Sequence, residues 1–261
     1  MKKKYFIVGL SLTLLGIVAT VFGILTGKKG PLFVGNVVLS SILLALSFIL
    51  FLVGFSFIMH SRREMKIKEL VLISIQAAIT ILLYHYAKFK LPFVPSWLDF
   101  QVSEIPAIIT SFIYGPIAGI LIIVLRFVIK VPFTITVGVG ELADLILGII
   151  IVLITGLIYK KNRTLKGAII SSVIAIFAGT VMAAFLNWLV LIPAYLNIAG
   201  FPEEALISGM SYIDGINSQN FMKYYIFVGI IPFNLVRYLI VFILTFVLYK
   251  NTHRIFERFV G

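Results

Sequence analysis

Few residues of this 261-residue chain have the type and spacing to do chemistry, and the most telling lie where the sequence is most apolar. In "IIPFNLVRYLIVFILTFVLYK", positions 230 to 250, Asn234 and Arg237 stand three residues apart and so share one helix face. In "AFLNWLVLIPAY", Asn187 precedes Pro193 by six residues. An amide or guanidinium in hydrocarbon costs about 3 kcal/mol or more unless it is paired or faces a polar cavity. With the last long apolar run starting near Lys223 and a rise of about 1.5 Å per residue, Asn234 lies about 15 Å and Arg237 about 20 Å from that end. Asn187 lies about 9 Å from Pro193, read as the outer helix end. Three polar side chains thus reach a similar layer from two neighbouring helices.

Catalysis is the competing chemistry. "GVGELAD" carries Glu141 and Asp144 one turn apart, the best pair for an intramembrane hydrolase. Acid–base hydrolysis needs two carboxylates within reach of one water, and no second acidic span faces these two. No HExxH or GxSxG accompanies them. The three histidines, His60, His85 and His253, fall at span ends, which predicts no metal site. A structural role is the other alternative, with Arg237 or Arg126 neutralising Glu141 or Asp144. "GILTGKK" (Gly23 to Lys29) is one residue too short for a phosphate loop and no Ser or Thr follows its lysine, so any ATP chemistry would belong to a partner.

The elements that position these residues follow from composition. With 61% hydrophobic residues, 12% charged and a mean hydropathy of +1.13, the chain is an integral membrane protein without a sizeable soluble domain. It has no cysteine, which excludes disulfides and thiolate metal sites. The net charge of +12 lies between apolar runs rather than on a polar patch, which predicts orientation against anionic lipid and no nucleic-acid partner. Spans are expected at 5 to 26, 34 to 59, 69 to 87, 139 to 159, 167 to 192 and 224 to 249. "SRREMKIK" (Ser61 to Lys68) and "KKNRTLK" (Lys160 to Lys166) are both basic and hence both cytoplasmic, which demands an even number of crossings between them. The run 104 to 130 therefore reads as two short helices turning at Gly115-Pro116, where proline breaks helical hydrogen bonding. The prediction is an all-α protein of eight spans with both termini inside: a two-helix extension over 1–60, without a functional account, and a six-helix membrane domain over 61–261. Lys130 is expected outside. "MKKK" opens an anchoring helix rather than a cleaved signal, because the apolar run after it is long and lacks a small-x-small site.

Two external segments have the content of a lid. "FKLPFVPSWLDFQVSEIP" (Phe89 to Pro106) carries Trp97 between prolines, and Ile192 to Phe221 carries Tyr195 and is long enough to fold over the outer face. Both aromatics also suit an interfacial belt.

Four ordered stretches, "PSWLDFQVSEIPAIITSFIYGPIAGILI", "GELADLILG", "NWLVLIPAY" and "IPFNLVRYLI" followed by "LYK", resemble the riboflavin-specific substrate-binding subunits (S components) of energy-coupling factor (ECF) transporters, over about residues 68 to 250. The resemblance implies a six-helix core in the bacterial plasma membrane. Such a core captures a vitamin from outside and docks on a transmembrane coupling subunit driven by two ATP-binding subunits. Riboflavin is then transported ligand rather than cofactor, and the chain is not an enzyme. By the same resemblance Asn187, Asn234 and Arg237 hold the ribityl chain, and the segment around Leu98 contacts ligand beneath the lid. Flavin, a flat ring with a hydroxylated tail, also calls for stacking surfaces, for which Trp97, Trp188 and Tyr195 are the candidates. Where the family carries a lysine this chain has Arg237, whose forked donors also suit an anionic group. Flavin mononucleotide (FMN) or a different vitamin therefore stays open as ligand. The family's two alanines four apart on the first core helix, used for docking, correspond to Ser74 and Ala78, a small-xxx-small pair.

Overall fold

The computed structural model of the chain describes residues 67–91, 94–95, 97–133, 138–197 and 200–260, with backbone alone from 250 to 260. The first two expected spans and the 1–60 extension lie outside these residues. By compactness the chain divides into Lys66–Asn187 with Glu203–Gly261, and a second unit in which Trp188–Pro202 is the described part.

In the first unit, α1 (Ile67–Tyr86) buries Leu72, Ile73, Gln76, Ala77 and Thr80, residues spaced at three and four so that they form one stripe. Its opposite face exposes Leu70, Val71, Ile75, Ile79 and Leu82. Apolar residues on both faces suit a helix whose outer side meets lipid. A two-stranded antiparallel ribbon follows, β1 (Lys88–Lys90) and β2 (Asp99–Gln101), with Phe89 opposite Phe100.

The run that reads as two short helices is a helical hairpin, α2 (Ile105–Tyr114) and α3 (Pro116–Lys130). Gly115 turns the chain at φ 92°, a left-handed value that costs glycine nothing, and Pro116 opens α3 where a missing N–H is harmless. The two helices press together at Gly119, where a Cβ would stand 2.6 Å from the Ala107 carbonyl oxygen and 2.5 Å from Val152 Cγ1. At ten residues α2 is about 15 Å long, half a bilayer's hydrocarbon thickness.

Next come α4 (Val139–Lys161) and α5 (Leu165–Leu186), joined by a short turn in which Thr164 caps α5 by accepting from the Gly167 N–H at 3.1 Å. Close packing against the hairpin continues at Gly156, whose Cβ would fall 2.2 Å from Ser111 Oγ. Ile108, Ile122, Ile123, Ile151, Val152, Val241 and Phe242 form the sealed centre of the unit.

Both long helices of the second half contain a π-helical turn immediately before an Ile-Pro pair. One is Asn187–Leu191, leading into α6 (Ile192–Asn197); after the short α7 (Glu203–Ser208) and α8 (Phe221–Tyr224), the other is Tyr225–Ile230, leading into α9 (Ile231–Val260). Proline lacks the N–H that an α-helical ladder would use, and a wider turn just before it accommodates the lost bond. Helix therefore continues through Pro193, and the expectation that this residue ends it is corrected: Pro193 occupies the first turn of α6, where proline is tolerated. Among the described residues five helices are long and apolar enough to cross a membrane, with Ile105–Tyr114 as a shorter apolar one.

Candidate functional site

The chain enters the interior at "FQVSE", just before α2. Gln101, Ser103 and Glu104 are all buried, Glu104 to 2% exposure. Two arginines from different helices meet there. Arg237 of α9 donates from Nη2 to Glu104 Oε1 and from Nε to the Gln101 carbonyl at 3.3 Å. Arg126 of α3 lies 3.6 Å from the same Glu104 oxygen and donates to Ser103 Oγ at 2.6 Å and to the Asp144 carbonyl at 3.3 Å. Lys130, one turn further along α3, donates to Asp144 Oδ2 at 2.8 Å and sits 3.5 Å from the Tyr84 ring centroid. Ser103 donates to Gln101 Oε1, and Gln101 Nε2 donates to Asp144 Oδ2, closing the network. Charges this deep hold together only as partners, because an ion left alone loses its hydration without compensation.

Toward the start of the last helix a second, uncharged chain links two helices and the ribbon. Trp97 Nε1 donates to the Tyr225 hydroxyl at 3.2 Å, and that hydroxyl donates to Asn187 Oδ1 at 2.8 Å. Asn187 and Tyr225 are the first residues of the two π turns, so the turns are tied at their opening residues. The Trp97 ring lies where a Cβ on Gly209 would stand, 2.2 Å from Cζ3. From Trp97 through β2 the chain follows the last helix: Trp97 meets Tyr225 with ring centroids 6.1 Å apart, Phe100 meets Phe233 edge-on at 6.3 Å, and Gln101 meets Arg237.

The residues singled out by sequence fall as follows. Asn187, Asn234 and Arg237 are all buried, at 8%, 4% and 4% exposure. Asn187 Nδ2 donates to Ala183 O at 2.8 Å, and Asn234 Nδ2 to Ile230 O at 2.9 Å. Trp97 and Leu98 are half-buried, with the Leu98 N–H closing a turn onto Pro95 O at 2.9 Å. Tyr195 belongs to the Trp188–Pro202 segment, where its ring lies 5.7 Å from that of Phe201; Trp188 in the same segment is 58% exposed. Ser74 and Ala78 both lie on the exposed face of α1.

Three expectations need correction. Arg237 pairs with Glu104, not with Glu141 or Asp144, because the entry of α2 brings Glu104 against α9. Arg126 likewise pairs with Glu104 and reaches only the backbone carbonyl of Asp144. Lys130 is not an external charge; it is 4% exposed, since Asp144 and the Tyr84 ring draw it inward. Sequence reasoning missed Glu104, Gln101 and Tyr225 as members of the site. The available signal was the polar string "DFQVSE" running without a break into "IPAIIT", since a carboxylate that opens an apolar helix needs a buried partner.

Comparison with known proteins places this geometry. Residues 68–249 match the family model described as ECF transporter, substrate-specific component. The riboflavin transporter RibU of Staphylococcus aureus (strain TCH60) is 30% identical over 203 residues, 77% of this chain and 100% of that protein. The riboflavin transporter FmnP of Bacillus subtilis (strain 168) is 32% identical over 181 residues, 68% of this chain and 87% of that one. A solved S component of a bacterial ECF transporter is similar with a TM-score of 0.58 at 28% identity, covering 73% of this chain and 98% of its own. Glu141 and Asp144 accordingly have no catalytic assignment in a family defined by binding and transport. With buried polar groups set among apolar helices long enough to cross a bilayer, this chain belongs to the substrate-specific components of ECF transporters, multi-pass proteins of the bacterial cell membrane.

Proposed function

We propose that the chain captures riboflavin outside the cell and carries it across the membrane as the substrate-specific subunit of an ECF transporter. The observation that carries the reading is the burial of Asn187, Asn234 and Arg237 within apolar helices, where directional polar groups serve a ligand with a hydroxylated tail. The choice of riboflavin is supported by the relatives in S. aureus and B. subtilis, both riboflavin transporters. Asn187, Asn234 and Arg237 are the proposed contacts to the ribityl chain; Trp97, Leu98 and Tyr195 are the proposed surfaces for the ring.

Transport itself needs partners. The proposed ones are a transmembrane coupling subunit and two ATP-binding subunits. Ser74 and Ala78 are the proposed docking positions, and their exposure on the outer face of α1 supports this because small side chains let a second helix approach closely. The leading two-helix extension over 1–60 remains part of the proposed architecture, without an assigned role.

The test is direct. The full chain, purified in detergent from cells grown on rich medium, should carry visible flavin absorption that no amino acid gives, and should bind added riboflavin. Failure to bind micromolar riboflavin would overturn the proposal. If riboflavin binds, Asn234→Ala should weaken it by about 1 to 3 kcal/mol, the cost of a buried polar partner left unmatched.

A further inference from the structure

Glu104 is held in an unusual way. One carboxylate oxygen, Oε1, takes both arginines, while the other, Oε2, is buried and has no hydrogen-bond partner among the described residues. A carboxylate can accept about four hydrogen bonds, and an oxygen kept from water without a donor is costly in an interior of low polarity. The same carboxylate takes the Nη2 donor of Arg237, while Nε goes to the Gln101 carbonyl. Each of the three buried cations of the network has a carboxylate partner, with Arg126 and Arg237 sharing Glu104 and Lys130 on Asp144.

We infer that Glu104 is a ligand-reading residue of this site: its Oε2 accepts a hydrogen bond from a hydroxyl of a neutral polyol tail, and its charge, by neutralising Arg237, disfavours a phosphate in the same place. This rests on the riboflavin reading and deepens it. A hydroxyl donor satisfies Oε2, whereas the phosphate of FMN brings about two negative charges to a carboxylate whose two neighbouring arginines are already its partners. The arginine that by residue type invites an anion is thus set, by its partner, to favour an uncharged ligand.

The experiment compares three flavins on wild-type protein and on Glu104→Gln: riboflavin, lumiflavin (the same ring with a methyl group in place of the tail) and FMN. Binding is titrated by flavin fluorescence on the full chain in detergent. In Glu104→Gln, riboflavin should weaken by about fivefold or more while lumiflavin changes by less than about twofold, and the preference for riboflavin over FMN should narrow. Equal losses for riboflavin and lumiflavin would mark Glu104 as merely structural and overturn the inference, as would no loss at all. Should Glu104→Gln fail to fold, the wild-type protein still decides: FMN must bind about tenfold or more weakly than riboflavin, and FMN binding as tightly or more tightly refutes the inference. Wild-type protein that binds no riboflavin would instead bring down the functional proposal, and this inference with it.

Discussion

Tyr225→Phe tests the link between the ribbon and the two π turns. The substitution keeps the ring, and with it the stacking on Phe221 at 5.4 Å, and deletes one oxygen. That oxygen serves two partners. Asn187 Oδ1 loses its donor in a residue only 8% exposed, and with Nδ2 held by Ala183 O the amide has no easy rotation to find another. An unsatisfied buried acceptor costs about 1 to 3 kcal/mol. Trp97 Nε1, in a half-buried residue, loses a neutral hydrogen bond of about 0.5 to 1 kcal/mol net. The sum is about 1.5 to 4 kcal/mol of stability. The assay is thermal unfolding of the full chain in detergent, combined with Trp97 emission on a Trp188→Phe background, since the chain has two tryptophans. The variant should melt several degrees lower, and the emission of Trp97 should change as its ring loses its anchor. A variant within about 0.5 kcal/mol of its parent, with unchanged emission, would refute the idea that this hydroxyl ties the segments together.

Other outcomes follow from the same geometry. Gly119→Ala should destabilise by about 1 to 3 kcal/mol, because the new Cβ meets the Ala107 backbone oxygen, which cannot rotate away; the thermal midpoint checks it. Lys130→Met should cost about 3 kcal/mol by leaving the Asp144 carboxylate short of its cation, whereas Asp99→Asn, which breaks only the exposed 3.7 Å pair with Lys88, should fall within about 0.5 kcal/mol. Ala78→Trp should abolish riboflavin uptake by cells while leaving binding by the purified chain within about twofold; loss of binding as well would argue against a docking role for that face of α1.

Much of the architecture was legible because it rests on local or one-dimensional signals. Apolar runs mark the helices, and the basic clusters on either side of residues 69 to 159 demand two more crossings or none, which leads directly to the hairpin broken at Gly115-Pro116. Asn187, Asn234 and Arg237 stand out because a polar residue in an apolar helix is anomalous by itself. What could not be read is the pairing among them. The Arg237 and Glu104 pair joins residues 133 apart in sequence, and nothing in the spacing of either one selects the other over Asp144 or Glu141. Lys130 was misplaced for a related reason: charge counting treats a lysine at a helix end as solvated, yet a carboxylate and an aromatic ring one helix away hold it inside. The π turns were invisible because apolar periodicity hardly distinguishes them from α-helix, although Ile-Pro after each one marks where the ladder must adjust.

The π turn at Tyr225–Ile230 also sets the rotational phase of everything that follows it. At about 100° per residue, an uninterrupted α-helix would carry Phe233 about 80° and Arg237 about 120° around the axis from Tyr225. A π turn that absorbs one residue removes about 100° from each, leaving both within about 20° of Tyr225. That alignment lets the short segment from Trp97 to Gln101 touch Tyr225 through Trp97, Phe233 through Phe100 and Arg237 through Gln101. A one-residue deletion within 226–230 would make this stretch α-helical yet leave Phe233 and Arg237 within about 20° of Tyr225, whereas drawing the full-length turn into α geometry would swing Arg237 about 100° from Glu104 without altering any residue of the site.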